Sequence, residues 1–321
     1  MTNDNTHQAD VHDGSVEDGL EIRHATLDDQ AAVAAMTSDI WSDRGGDYLS
    51  RVYPDWLEEP DDDHKRTFLM DAGDDVAGLV QAVMLSDDEA WFQGLRVHSE
   101  YRRQGVSQRL NEACFDWAVD RGATVGRLMI FSWNAPALGA SRAAGYEPDT
   151  EFRWAHPEPD PESDGPDPVT TADNATRAWR YWTASTARDH LQGLALDLEE
   201  SWALRELTRS DLETVANETA VFTVDRADGV AGMSYRNRTY ERQTDDGDID
   251  LWVEYGVSAW EDVDAARSLF AAIARDAAAL EADRTRVLIP ETVGAVSDAS
   301  FAGAPISEEP DFVLGVDLSA R

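Results

Sequence analysis

The chain has 321 residues, room for two domains, and 42% of them are hydrophobic, enough to build cores. Asp and Glu number 64 against 27 Lys and Arg, a formal charge of −37, and Lys65 is the only lysine; this balance excludes an extended basic face for nucleic acid. One cysteine, Cys114, excludes an internal disulfide, and no apolar run is long enough to span a bilayer.

Acid spread over the whole chain, with lysine all but eliminated, reads as adaptation to the molar-salt cytosol of a halophile rather than as a surface for a cationic substrate. At 1 M salt the Debye length is about 3 Å, so a ligand must be held by contact hydrogen bonds and apolar burial. Arginine suits that task better than lysine. The polar, acidic N-terminus has no signal-peptide core, which predicts a cytoplasmic protein without a membrane partner.

Residues 1–19 lack periodicity and read as a disordered acidic tail. A strand comes next at 20–25, then Thr26 caps a helix over 27–37, and a second helical segment at 47–57 is reached through Gly45-Gly46. Trp41, Tyr48, Tyr53 and Trp56 cluster here and read equally as core or as ligand contacts. Strands at 67–71, 76–85 and 90–97 are separated by Gly73-Asp74-Asp75 and Asp87-Asp88-Glu89, which are turn residues. A helix over 105–121 stops at Gly122, with Cys114 on its apolar face as a small buried hydrophobe. A strand at 127–131, a helix at 136–144 and a strand at 150–154 complete the first half. Residues 155–176 form an acidic, Pro-rich linker or loop, and the alternation in 177–183 predicts a last strand of the first half reached across it. Residues 184–321 repeat the order: 202–207, a capped helix after Thr208, strands at 221–224, 229–235 and 250–257, a helix at 263–280, and strands at 284–289 and 312–318.

The stretch 95–122 reverses the local sign, because Arg96, Arg102, Arg103 and Arg109 face only Glu100 and Glu112. Arg102, Arg103, Gln104, Gly105, Val106 and Ser107 lie where a strand gives way to a helix. Unpaired N–H groups and the positive dipole end make such a junction an anion site, and Gly105 lets the backbone turn without a Cβ in the way.

At these residues the sequence resembles the GNAT superfamily of N-acetyltransferases. That family's Arg/Gln-x-x-Gly-x-Gly/Ala signature reads here Arg102-x-x-Gly105-x-Ser107, a departure at its last position that keeps a small residue. Asn134-Ala-Pro-Ala137 and Ala144-Gly145-Tyr146 come after it in the family's order. The resemblance implies an α/β (α+β) fold of two tandem GNAT-like domains, each a mixed, mostly antiparallel sheet flanked by helices. The first spans 20–154 and the second 184–321. It implies acetyl-CoA as co-substrate, with the pyrophosphate at 102–107, Asn134 nearby and the pantetheine arm along Leu95, Arg96 and Val97. Leu95 or Val97 N–H is the implied oxyanion donor, and the acceptor is a small-molecule amine or a peptide or protein amine. The position of the family's acid tyrosine holds Ser141, so Ser141, Tyr146 or water is left to protonate the thiolate. Glu89, Asp88 and Gln93 are candidates for the base. The seven histidines show no metal-ligand spacing, and no metal is expected.

An offset of 159 lays Arg127-Leu-Met-Ile130 on Arg286-Val-Leu-Ile289, Arg102 on Glu261, Gly105 on Asp264 and Ser107 on Ala266. Carboxylates there would cap a helix but repel a pyrophosphate, so the second half is expected to be degenerate. The pair of halves suits a monomer, as an internal pseudo-dimer, or a homodimer. The competing reading is a non-catalytic acyl-CoA-binding or protein-interaction module.

Overall fold

A computed structural model describes residues 19–41, 46–57, 63–73, 75–163, 172–244 and 247–321. The acidic tail expected over 1–19 lies outside these residues except for Gly19, as do Gly45, Asp74 and residues 164–171 of the acidic loop. The fold divides into two compact units. One takes the chain up to residue 61 with Thr67–Val80 and Gly94–Ala113, and the other takes Asp62–Arg66, Gln81–Gln93 and Cys114–Arg321.

In the first unit β1 (Glu21–His24) leads through a 3-10 turn, Leu27–Asp29, into α1 (Gln30–Thr37). Thr26 and Asp29 form a capping box, and Arg23 bridges Asp29 and Asp71. A short α2 (Leu49–Val52) and a 3-10 turn, Asp55–Leu57, bring Leu49, Tyr53 and Leu57 against Val33, Met36, Leu69, Val76 and Leu79. The sheet order is β1, β2 (Lys65–Asp71), β3 (Val76–Met84), β4 (Glu89–Val97), with Glu21 opposite Asp71 across the antiparallel edge. β2, β3, β4 and α3 (Val106–Val119) each have one end in either unit. α3 packs tightly on Gly78 of β3: a Cβ there would stand 2.7 Å from the Arg96 carbonyl and 3.0 Å from Val106 Cγ1.

The second unit continues with β5 (Val125–Phe131), α4 (Ala135–Ala143) and β6 (Glu147–Ala155). Then come α5 (Ala172–Trp182), α6 (Thr186–His190), β7 (Leu194–Leu196), β8 (Leu204–Glu206) and α7 (Arg209–Glu218). β9 (Ala220–Arg226), β10 (Gly229–Gln243), β11 (Ile249–Tyr255), β12 (Ala259–Trp260) and α8 (Val263–Ala279) precede β13 (Arg284–Pro290), α9 (Val293–Phe301) and β14 (Asp311–Asp317). The sheet runs β4, β5, β14, β6, β13, β11, β10, with β9 and β12 both paired to β10. Only β4–β5 and β11–β13 are parallel among its described pairs, so the sheet is mixed and mostly antiparallel, flanked by helices.

The strand expected at 177–183 is a correction: this stretch ends helix α5. Ala175, Ala178 and Trp182 are fully buried at three- and four-residue spacing, a helical stripe that the aromatic richness of the segment hides. The place beside β6 is filled from the far end of the chain. Val313 of β14 faces both Met129 of β5 and Thr150 of β6, and Leu288 of β13 faces Trp154 on the other side of β6. The offset of 159 carries Val125–Phe131 onto Arg284–Pro290, that is, β5 onto β13.

Candidate functional site

In the first unit Gly94 interrupts β4 with φ 66°, and a Cβ there would collide with the Trp56 ring. A left-handed residue inside a strand breaks the pleat and re-aims the residues after it, as a bulge does. Leu95, Arg96 and Val97 come next, half-buried, and the chain then turns at His98, whose N–H is held by the Ala77 carbonyl at 3.0 Å.

Arg102, Arg103, Gln104 and Gly105 are exposed, and Val106 drops into the core as α3 begins. Arg103 and Gly105 both take positive φ, 64° and 79°. No atom lies within 4 Å of a Cβ built on Gly105, so its demand is conformational and the space above it is open. The first helical bond of α3 runs from Arg109 N–H to the Gly105 carbonyl at 3.0 Å. Among the described residues no acceptor takes the N–H groups of 103–108. Six donors at a helix start, two of them on left-handed residues, are an arrangement suited to cradling an anion.

The four arginines read as one basic cluster do not act together. Arg96 turns its guanidinium inward onto Asp47 (2.6 Å and 3.1 Å), stacked against Trp41 and Tyr48. The Asp47 side chain is 1% exposed, so Arg96 offers a ligand only its backbone. Arg109 donates to the Leu20 carbonyl at 2.9 Å. Arg102 and Arg103 have no ion pair among the described residues. Trp41 and Tyr48 are thus an arginine clamp, Tyr53 is core with its hydroxyl on the Thr26 carbonyl, and Trp56 packs on Gly94.

The remaining sequence candidates, Glu89, Asn134, Ser141 and Tyr146, belong to the second unit. Glu89 is buried, ion-paired to Arg127, and accepts from the Glu206 N–H at 3.2 Å, contacts of a structural carboxylate that count against its reading as a base. Asp88 is an exposed turn residue held by Ser86. Gln93 donates Nε2 to Gln81 Oε1 (2.7 Å) and Glu200 Oε1 (2.9 Å). Asn134 caps α4, its Oδ1 accepting from Ala137 N–H at 3.3 Å.

Tyr146 is 0% exposed, edge-on to Phe92 and packed on Phe115, and burial raises its hydroxyl far above the ordinary value. Ser141 is 5% exposed. Both hydroxyls are thus buried, which counts against Ser141 and Tyr146 among the three proton donors the resemblance implies. Cys114 is buried and its thiol is pushed up by burial, as a core residue's would be. Among the described residues no group of His, Cys, Asp and Glu could hold a metal, and no helix is long and apolar enough to cross a membrane.

The corresponding place in α8 is occupied by the protein itself. Asp262, one residue beyond Glu261, is the N-cap, accepting from Ala265 N–H at 3.0 Å and paired with Arg226 at 2.6 Å and 2.7 Å. Pairing of β4 with β5 covers only Glu89–Trp91, whereas β11–β13 pairing spans Trp252–Tyr255 and is extended by Ser258 N–H to the Leu288 carbonyl at 2.9 Å. Gly94 is the break in β4 that sequence reading passed over, though an isolated glycine inside a strand is itself a bulge signal.

Residues 33–146 match the Acetyltransferase (GNAT) family. No curated protein matches the sequence. A putative acetyltransferase from Pyrococcus horikoshii shares the fold over 99% of this chain and 92% of its own, with 14% identity and a TM-score of 0.51. A GCN5-related N-acetyltransferase from Sphaerobacter thermophilus does so over 94% and 96%, with 14% identity and a TM-score of 0.54. At that identity the likeness is one of fold.

Proposed function

From the acetyltransferase (GNAT) pattern of residues 33–146, we propose that this chain transfers an acetyl group from acetyl-CoA directly to a primary amine. The observation that carries the reading is the cradle of N–H groups at 103–108, open above Gly105 and flanked by Arg102 and Arg103, which have no ion pair among the described residues. Its donor set fits a pyrophosphate: backbone N–H groups at a helix start with two guanidiniums beside them. Leu95 and Val97, just past the Gly94 break, are the donors assigned to the developing oxyanion. Acetyl-CoA supplies the activated acyl group, and the chain's own residues bind it, orient it and handle protons.

The α8 start, closed by Asp262 and Arg226, supports a second GNAT-like half without a coenzyme site. We assign the active half to the N-terminal side and read the whole as a tandem repeat of a halophile's cytoplasmic enzyme, a monomer or homodimer. The acceptor is a small-molecule, peptide or protein amine.

Calorimetric titration with acetyl-CoA in molar KCl tests the reading. Binding is expected in the wild type and absent in Gly105→Glu, which places a strained side chain and a negative charge in the cradle. Asp264→Ala should bind as the wild type does. No binding by the wild type would overturn the proposal. The burial of Ser141 and Tyr146 favours a second reading, a non-catalytic acyl-CoA-binding module. Tight binding without thiol release across an amine panel would select it.

A further inference from the structure

We propose that the cavity at the amino ends of β11 and β13 binds an aromatic amino acid, a small zwitterion held at once by its ring, its ammonium and its carboxylate. The cavity lies wholly within the second unit, so the inference does not rest on the transferase reading. Its volume is about 480 Å³, and Trp252, His156, Glu158, Arg242 and Arg284 are among the residues that line it. Small-molecule sites have volumes of this order. Ligands of parallel strands gather beyond the carboxyl ends, so this cavity, at the amino ends, is not the place where the second half would have held a coenzyme.

Strand register builds its floor. Tyr240 on β10 faces Trp252 on β11, Arg242 faces Asp250, and Trp252 faces Arg284 on β13, so these side chains share one side of the sheet. The Tyr240 and Trp252 rings lie within 17° of parallel, with centroids 6.3 Å apart. Against this flat floor the His156 ring stands upright, at 88° to Trp252 and 6.4 Å from it. Trp252 is half-buried, which leaves part of the indole for a second ring.

Both signs of charge are on offer around that floor. His156 Nδ1 lies 2.9 Å from the Thr285 carbonyl, which can only accept, so the proton sits on Nδ1 and the lone pair on Nε2. Burial lowers the His156 pKa against the opposing bond to Thr285, and Arg286 adds to the lowering, so the ring is a neutral acceptor at pH 7. Among the described residues nothing donates to Nε2, and Glu158 is exposed without an ion pair. Arg242 stands 5.6 Å from the Trp252 centroid without a carboxylate partner among the described residues. Arg284 meets Asp250 only at 3.4 Å, through Nε, while Asp283 accepts from the Leu251 N–H at 2.8 Å.

One ligand class answers all of these groups. Its ammonium donates to His156 Nε2 and Glu158, its carboxylate accepts from Arg242 and Arg284, and its ring lies on Trp252. A plain cation would meet two guanidiniums, and a plain anion would meet Glu158, Asp250 and Asp283, so either alone sets like charges together. At molar salt the contacts must do the holding, because the Debye length is about 3 Å.

Calorimetric titration of the full chain in molar KCl with L-phenylalanine tests the site. Three analogues each lack one handle: phenethylamine the carboxylate, 3-phenylpropionate the ammonium, and L-leucine the ring. L-Phenylalanine should bind one to one, and each analogue at least about tenfold more weakly. Trp252→Leu should weaken L-phenylalanine by about tenfold or more. Arg242→Gln, an exposed change, should shrink the gap between L-phenylalanine and phenethylamine by about threefold or more, whatever Trp252→Leu does to the fold. Gly105→Glu should bind L-phenylalanine as the wild type does. Absence of saturable binding by the wild type, an analogue that binds as tightly, or a gap unmoved in Arg242→Gln would overturn the site. So would full affinity in a folded Trp252→Leu, or a loss in Gly105→Glu, which would put the ligand at 103–108 instead.

Discussion

Asp311 and Asp47 are both buried carboxylates, and the difference between them is a counter-ion. Asp47 is neutralised by Arg96, so removing it strands a guanidinium whose side chain is 10% exposed. Asp47→Ala is expected to lose about 3–5 kcal/mol of unfolding free energy in urea titrations, far more than a surface pair would cost. Asp311 works in the other direction. Its folded-state pKa, about 7, lies above the ordinary 3.8, so its contribution to stability is present below about pH 4 and lost as pH rises through 7. Between about pH 4 and pH 8 the wild type should lose on the order of 4 kcal/mol relative to Asp311→Asn, as an upper bound. Parallel urea-unfolding curves for the two proteins across that range would check it. At this scale the sequence marked Gly105 through its motif but missed the pairing of Asp47 with Arg96 and the burial of Asp311. Nothing local distinguishes a buried aspartate from the other acids of so acidic a chain.

Helix ends were the most legible elements, because capping is a short-range matter of one side chain and one turn. Thr208 caps α7 as its sequence predicts, with Asp211 completing the box at 2.7 Å. Thr208→Ala should cost about 1 kcal/mol in thermal or urea unfolding without touching coenzyme affinity. The strands of the first half and β5 follow from turn residues and period, whereas α3 ends at Val119 and Gly122 (φ 99°) lies in the turn three residues beyond it. Segment 177–183 failed for the opposite reason: Trp179, Tyr181 and Trp182 alternate with small or charged residues, and only the burial of Ala175 and Ala178 shows the helical face. Two-residue β12 and short β7 carry no periodicity of their own and are defined by their partners.

On the scale of the whole molecule the last strand decides the architecture. β14 pairs over seven residues with β5, from Asp311 opposite Phe131 to Asp317 opposite Val125, and on its other edge with β6. Deleting residues 311–321 should therefore leave two open edges inside the sheet and yield an aggregating or unfolded chain, read by size exclusion and near-ultraviolet dichroism. Charge acts at the same scale. With a net charge of −37, self-repulsion is screened only by salt, so the melting midpoint should rise steadily from low salt to molar KCl. A midpoint independent of salt would sink the halophile reading.

The sequence by itself determined the acidic character, the class of fold, the strand–turn–helix junction at 102–107 and the carboxylates that stand at the corresponding helix start at 261–266. Each depends on neighbours in the chain: a glycine's allowed φ, a helix start's free N–H groups, the sign of adjacent charges. Tertiary structure alone decided that Arg96 belongs to Asp47, that Ser141 and Tyr146 are buried, and that β14 lies between β5 and β6. Those outcomes turn on burial and on pairing between residues far apart in sequence, which carry no local signature.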